Sequence, residues 1–190
     1  MSRLLALPLL AWIAVATASL RPDDVVGHAR LLAADAVVAL IRLDEERVVR
    51  AAHQSRLAAE QAQSLQLLMF SALVELEGLV YLGRLEAAEE LLTYVLALAE
   101  TRPTEHLRVD AGFISALLRL RQGRGQESRN IMRDLQLPAR QLGPTYESQW
   151  YSFTARCAFD RGDFQEAATQ SEKAIAMTLE LDTSAYTLRD

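Results

Sequence analysis

The chain has 190 residues, of which 51% are apolar and only 6% aromatic, and its formal net charge is −5. This length is sufficient for one domain, or one array of repeats, with its own hydrophobic core. Abundant alanine and leucine favour helices over sheets, which need more valine, isoleucine, threonine and tyrosine in alternation. Because phosphate binding relies on clustered lysine and arginine, the acidic balance argues against a direct nucleic-acid surface.

Residues 4–20 are almost wholly apolar and allow two main interpretations. In the first, residues 1–20 form an apolar helix that packs on the following repeats in a cytoplasmic protein, with Pro8 in its first turn. In the second, residues 1–18 are a signal peptide cleaved after Ala16-Thr17-Ala18, and the mature protein is periplasmic or secreted. A membrane span is the least favoured interpretation, because the segment is short for a bilayer of ~30 Å.

Turns recur at a fixed interval along the remainder of the chain, residues 21–190. Candidate helix ends lie at Leu43, Gly83, Gly123 and Gly162, which are 39 to 40 residues apart. In each case an apolar helical run precedes the turn, and a second helix follows it. Such a period is typical of helical-hairpin arrays, in which each repeat buries its apolar face against its neighbours. We therefore predict an all-α fold, a right-handed superhelix (α-solenoid) of about four antiparallel helical hairpins.

Proline, glycine and acidic residues set the predicted limits of the repeats. These limits are about 23–63, 64–103, 104–144 and 145–181. The second helix of repeat three should end at Pro138, which leaves a loop over residues 138–144. Residues 184–190 look like the start of another helix with no polar capping helix behind it. We therefore expect either a longer array or a homodimer that closes the open end.

Two repeats carry a recognisable motif. Repeat four reads Gly162-Asp163-Phe164-Gln165-Glu166-Ala167 and then Ser171-Glu172-Lys173-Ala174-Ile175, and repeat two reads Gly83-Arg84-Leu85-Glu86-Ala87-Ala88. These stretches resemble the turn and second helix of a tetratricopeptide repeat, where glycine and alanine allow chain reversal and close helix contact. The match is weaker in repeat three and weakest in repeat one, where Leu43 replaces glycine. The period of 39 to 40 residues also exceeds the usual ~34.

The resemblance covers roughly residues 23–181, and the longer repeats are similar to those in the effector-sensing arms of bacterial multidomain transcription activators. It implies a non-catalytic scaffold, the sensing or assembly arm of a bacterial regulatory system, that binds a protein or peptide segment or a small effector in its concave groove. The DNA-reading part of such a regulator would lie elsewhere. One alternative, tied to cleavage of residues 1–18, is an exported adaptor for envelope complexes. A remote alternative is an enzyme with a pocket between helices.

The resemblance also implies which side chains line the groove, because the first helices of successive repeats form its concave surface. Transferred by register, the predicted partner-binding residues combine both charges with aromatic rings, which suits a peptide that carries both charges. They are Arg30, Glu77, Tyr81, Asp110, Phe113, Arg121, Gln149, Phe153, Arg156 and Asp160. A packing role for Phe113 and Phe153 is an equally open interpretation, since a stripe at helical spacing is more often core.

No pattern in the sequence points to catalysis or to a metal. The three histidines, His28, His53 and His106, lie in different repeats without ligand spacing, so hydrogen-bonded surface positions are expected. Cys157 has no histidine nearby in sequence, which favours a buried, inert thiol. Gly123-Arg124-Gly125 follows a helix and lacks the third glycine of a phosphate-binding loop. We therefore predict no catalytic residue, no metal and no cofactor.

Overall fold

A computed structural model describes the backbone of residues 21, 23–101 and 104–187, and the side chains among these as far as residue 180. Every regular element in this part of the chain is an α-helix, as predicted. The helices are α1 (Val25–Ile41), α2 (Glu45–Gln61), α3 (Leu65–Tyr81), α4 (Leu85–Thr101), α5 (Glu105–Arg121), α6 (Gly125–Gln141), α7 (Pro144–Asp160) and α8 (Phe164–Thr187). They group into two compact units, unit 1 up to Leu98 and unit 2 from Ala99.

The described helices repeat with a regular period. They begin at residues 25, 45, 65, 85, 105, 125, 144 and 164, so the spacing is 20 residues and drops to 19 once. The first seven are each 17 residues long. Two helices with their linkers therefore make the predicted repeat of 39 to 40 residues, and the described part of the chain is an all-α array of helical hairpins.

Most linkers reverse the chain through the same hydrogen-bonded motif. At the α1–α2 turn, Leu43 has a φ of 58° and its N–H donates to the Leu40 carbonyl, while Asp44 N–H donates to the Ala39 carbonyl. This pair of bonds defines a Schellman motif, in which glycine is preferred because it has no Cβ to clash. The same pair closes the turns at Gln63, Gly83, Gly123 and Gly162. The three glycines fit this conformation without strain, whereas Leu43 and Gln63 adopt it at a cost.

The predicted end of the second helix of repeat three is wrong. Helix α6 does not stop at Pro138 but continues to Gln141, and the predicted loop over residues 138–144 does not form. Proline removes the hydrogen bond that its missing N–H would donate one turn back, to the carbonyl of Asp134, and its ring crowds that same carbonyl. Asp134 lies on the exposed side of α6, and the buried Ala139 keeps the last turn packed. The helix therefore tolerates proline near its carboxyl end.

The predicted break before residue 184 is also absent. Helix α8 runs without interruption from Phe164 to Thr187, so residues 184–187 continue this helix instead of starting another. No proline or glycine lies within it to end it sooner. Residues 188–190 and the contested segment 1–20 lie outside the described residues.

In unit 1 the core between α1, α2 and α3 is built from small side chains. One buried cluster consists of Ala36, Ala39, Val48, Ala51, Ala52 and Val74. Gly78 of α3 faces this cluster so closely that a Cβ there would lie 2.8 Å from Val48 Cγ1 and 2.9 Å from Val49 Cγ2. The fully buried Ser55 hydroxyl of α2 donates to the Ala29 carbonyl of α1 at 2.7 Å. Small residues therefore set the distances between these helices.

In unit 2 the core between α5, α6 and α7 contains larger side chains. Its buried members include Phe113, Met132, Leu135 and Trp150. The Trp150 Nε1–H donates to the Met132 carbonyl at 2.7 Å, which ties α7 to α6. Gly112 of α5 is the close-contact position here, since a Cβ would lie 2.8 Å from Leu135 Cδ1. The two units thus share one architecture with different core residues.

Candidate functional site

The predicted partner-binding residues lie on the first helices of the hairpins. We name the side of α1 and α3 that carries three of them face 1, and the side of α5 and α7 that carries the other seven face 2. Face 1 holds Arg30, Glu77 and Tyr81, and face 2 holds Asp110, Phe113, Arg121, Gln149, Phe153, Arg156 and Asp160. Face 1 belongs to unit 1 and face 2 to unit 2. Residues spaced three, four or seven positions apart lie on one side of a helix, which explains each set.

The centre of face 2 is an aromatic stack between α5 and α7. The rings of Phe113 and Phe153 are stacked, with centroids 5.0 Å apart and an angle of 15° between their planes. The Arg156 guanidinium carbon lies 5.0 Å from the Phe153 centroid, within the range of a cation–π contact. Phe113 is only 1% exposed and is a core residue, as the packing interpretation holds, whereas Phe153 is half-buried.

One end of face 2 holds a partly buried carboxyl group. The Tyr146 hydroxyl donates to Asp110 Oδ2 at 3.3 Å, and His106 meets the Tyr146 ring edge-on. Burial raises the pKa of Asp110 above its usual value, although the hydrogen bond from Tyr146 and the nearby His106 oppose the rise. Burial, followed by the charge of Asp110, raises the pKa of Tyr146 to about 12. Asp110 is thus engaged within unit 2 by a tyrosine that sequence reasoning missed.

The other end of face 2 holds an ion pair between its two helices. Arg121 Nε lies 2.9 Å from Asp160 Oδ2, and the two side chains are 39% and 21% exposed. Ion pairs with this much solvent contact contribute only ~0–1 kcal/mol, so they exchange partners readily. Gln149 and Arg156 are exposed on the same side of α7. Face 2 therefore offers two guanidinium groups, an amide and a carboxylate, and one of these guanidinium groups, that of Arg156, lies against the Phe153 ring.

Face 1 contains a shallow apolar groove between α1 and α3. Its volume is about 310 Å³, near the lower limit of the roughly 300–1,000 Å³ found for ligand sites. It is lined by Arg30, Ala33, Ala34, Val37, Leu67 and Phe70. Arg30 is exposed and forms no ion pair with any other residue that the structure describes, and the Phe70 ring is 45% exposed. The groove therefore combines an apolar wall with a single cation.

Of the three predicted residues on face 1, only Arg30 lines this groove. Glu77 and Tyr81 lie further along α3, where both are half-buried and in contact with other residues. Ala33 and Val37 follow the helical spacing of apolar residues along α1, which by itself predicts packing and gives no sign that the space beside them is open. The only available signal was the small size of Ala33 and Ala34.

A second cluster that the sequence did not reveal joins α2, α3 and α4. The Glu75 carboxylate of α3 is buried, with Oε1 at 2.8 Å from His53 Nδ1 and Oε2 at 2.7 Å from Arg56 Nε. Arg56 also lies over the ring of Tyr94 on α4, 5.9 Å from its centroid. Because the carboxylate is paired on both oxygens inside the helix packing, we interpret this cluster as structural.

The remaining candidates for chemistry are engaged in packing. Cys157 is buried, and burial raises the pKa of its thiol above the usual value despite a contact of 3.7 Å from the Ser128 hydroxyl. A thiol with a raised pKa is a poor nucleophile. No group of three or more His, Cys, Asp and Glu side chains within the described residues is placed to hold a metal ion. None of the helices described here is long and apolar enough to cross a membrane.

The fold and the two faces define an all-α helical-repeat protein, built from hairpins of regularly spaced helices. No family model matches the chain, and no curated protein matches it either.

Proposed function

We propose that this chain is a non-catalytic interaction module of the tetratricopeptide type, which binds a protein or peptide segment on the first helices of its hairpins. The observation that carries the proposal is a position that stays accessible in each of the four hairpins that the structure describes. It is occupied by Arg30, Phe70, Asp110 and Gln149, which follow the repeat spacing of 40, 40 and 39 residues. Asp110 is half-buried and the other three are exposed.

The type of side chain at this accessible position varies from hairpin to hairpin. At a nearby position, which we call the packing position, the side chains are alike. Residues at the packing position are aliphatic and buried in every hairpin, and they are Ala36, Leu76, Ala116 and Ala155. The accessible position instead carries a cation, a ring, a carboxyl group and an amide. Packing constrains one side of each helix, whereas the other side presents different groups to a ligand. In each unit, two of these different groups support recognition of an extended or helical segment.

The first test places a photo-crosslinking amino acid at Gln149 of face 2, in cells that produce the full chain. The matched control places it at Arg133, which is exposed on the second helix α6. We expect a discrete crosslinked partner from position 149 and none from position 133. Arg121→Glu combined with Arg156→Glu should remove that product with little change in melting temperature, because these side chains are partly exposed and contribute little to stability. Equal labelling at both positions would contradict the proposal.

The setting that we propose is the sensing or assembly arm of a bacterial regulatory system in the cytoplasm. The support is the resemblance of the hairpins to long tetratricopeptide-like repeats. The test is the intact mass of the protein isolated from its native cell, together with the cell fraction that contains it. Retention of residues 1–18 in the cytosol agrees with this setting. Their loss from an envelope fraction would replace it with the exported adaptor.

A further inference from the structure

The two faces differ in what fills the space between their helices. By the repeat register, Ala33 of α1 corresponds to Phe113 of α5, and Val74 of α3 corresponds to Phe153 of α7. In unit 2 the two rings stack and Phe113 is fully enclosed. In unit 1 the smaller residues leave the groove of about 310 Å³ beside Ala33. The groove therefore lies where the equivalent helix pair in unit 2 holds an aromatic side chain.

The walls of the groove match an aromatic side chain rather than a polar ligand. Apart from Arg30, the described residues that line it contribute alanine, valine, leucine and phenylalanine side chains, which offer no hydrogen bonds. A polar group placed there would lose its bonds to water without replacement. A phenyl ring loses none, buries a large apolar area and finds the half-exposed Phe70 ring beside it.

The single cation in the groove adds a charge preference. Arg30 occupies the position of Asp110, and Leu67 occupies that of Tyr146, so the hydrogen-bonded pair of face 2 has no equivalent in face 1. Arg30 forms no ion pair within the described residues, and a guanidinium group binds carboxylates with two parallel hydrogen bonds. An acidic neighbour of the inserted ring would supply such a carboxylate.

We propose that face 1 binds an acidic segment of a partner protein, which inserts one aromatic side chain into the groove and pairs a flanking carboxylate with Arg30. This inference rests on the proposed function and names the ligand class of unit 1. The bound ring takes the role in unit 1 that Phe113 plays in unit 2.

The test measures binding of a fluorescein-labelled peptide to the full chain by fluorescence anisotropy. The probe has a central phenylalanine flanked by glutamates, and two matched peptides carry either alanine at the centre or lysines at the flanks. We expect at least tenfold weaker binding for each matched peptide, since one lacks the ring and the other repels Arg30. Equal binding of all three peptides would overturn the inference.

Variants of the protein test the same contacts by changing residues of the groove instead of residues of the peptide. Phe70→Ala and Arg30→Glu should each weaken binding of the acidic phenylalanine probe at least tenfold. Ala33→Phe should abolish it by filling the groove from within. Phe159→Ala is the control, because it removes an exposed ring from unit 2, 62% exposed against 45% for Phe70, and should leave the affinity unchanged. Unfolding midpoints for all four variants show whether each retains the fold, and the two exposed positions remain informative if Ala33→Phe does not fold.

Three further outcomes separate this inference from the alternatives. If sedimentation shows a dimer that Ala33→Phe dissociates, and no probe binds, then the groove holds a second copy of the chain and the inference is overturned. If the probe fails to bind while crosslinks from Gln149 persist, the ligand class is wrong and the proposed function stands. If those crosslinks are absent as well, both fail together.

Discussion

The close helix contacts at Gly78 and Gly112 lead to a paired prediction about stability. Both glycines lie inside helices, where alanine is intrinsically better by ~1 kcal/mol. At both positions a Cβ would come within 2.8 Å of a side chain in the preceding or following helix, closer than the 3.4 Å of ordinary contact. The neighbours differ, because Gly78 faces two valines whereas Gly112 faces the terminal atoms of Leu135.

The difference in neighbours decides the sign of each substitution. Val48 and Val49 are β-branched and have one favoured rotamer in a helix, so their methyl groups cannot turn away without strain. Overpacking of this kind costs ~1–3 kcal/mol, and two clashes place Gly78→Ala in the upper part of that range. After the helix-propensity gain, we expect a net loss of about 1–2 kcal/mol. Leu135 can rotate its terminal methyl groups for ~0.5–1.5 kcal/mol, so Gly112→Ala should be close to neutral.

Urea unfolding followed by circular dichroism measures both free energies of unfolding. Because the two glycines lie in different compact units, hydrogen exchange should assign the loss to unit 1. Adding Val49→Ala to Gly78→Ala should cost at least ~0.5 kcal/mol less than the sum of the single changes, since the pair is in contact. A larger loss for Gly112→Ala than for Gly78→Ala, or strict additivity of the pair, would refute this account of the helix spacing.

Two further predictions concern one half-buried and one buried polar group, Tyr146 and Glu75. The pKa of Tyr146 is raised to about 12, so the folded state holds its proton more tightly and loses stability as pH rises from ~10. Tyr146→Phe should flatten the decline of the urea midpoint between pH 10 and 12, and an unchanged decline would contradict the assignment. Glu75→Gln should destabilise by ~2 kcal/mol, because Arg56 and His53 lose a charged acceptor. Replacing Glu75 and Arg56 together with leucine should recover part of that loss in the same assay.

The turns show how far the sequence determined the fold. Glycine at positions 83, 123 and 162 marks a left-handed turn by its chemistry, and Leu43 was placed by spacing alone. Gln63 adopts the same conformation, with a φ of 53°, but glutamine has no preference that would reveal it. The predicted helix end at Pro138 was wrong because the loss of one hydrogen bond is a local effect. The stability of the helix depends mainly on packing against residues distant in sequence.

Helix periodicity predicts which residues share one side of a helix, and the candidate site could be predicted only to that extent. Register assigned ten residues to the first helices of the hairpins, but it could not pair Asp110 with Tyr146 or Arg121 with Asp160. The Glu75 cluster links residues 22 and 19 positions apart on adjacent helices. An acidic residue among the apolar positions of α3 was the signal for it. The groove could not be predicted, because it results from the small size of Ala33 at the position that Phe113 occupies in unit 2.

The two faces also differ in what a ligand must displace. On face 2 four polar groups are already engaged with one another, through the Asp110–Tyr146 hydrogen bond and the Arg121–Asp160 ion pair. A ligand there exchanges existing contacts for new ones and gains only the difference. On face 1 a ring entering the groove displaces only water from apolar walls, and Arg30 has no ion pair among the described residues to give up. Contacts on face 1 therefore cost less to form, which is why we place the aromatic anchor of the ligand in unit 1.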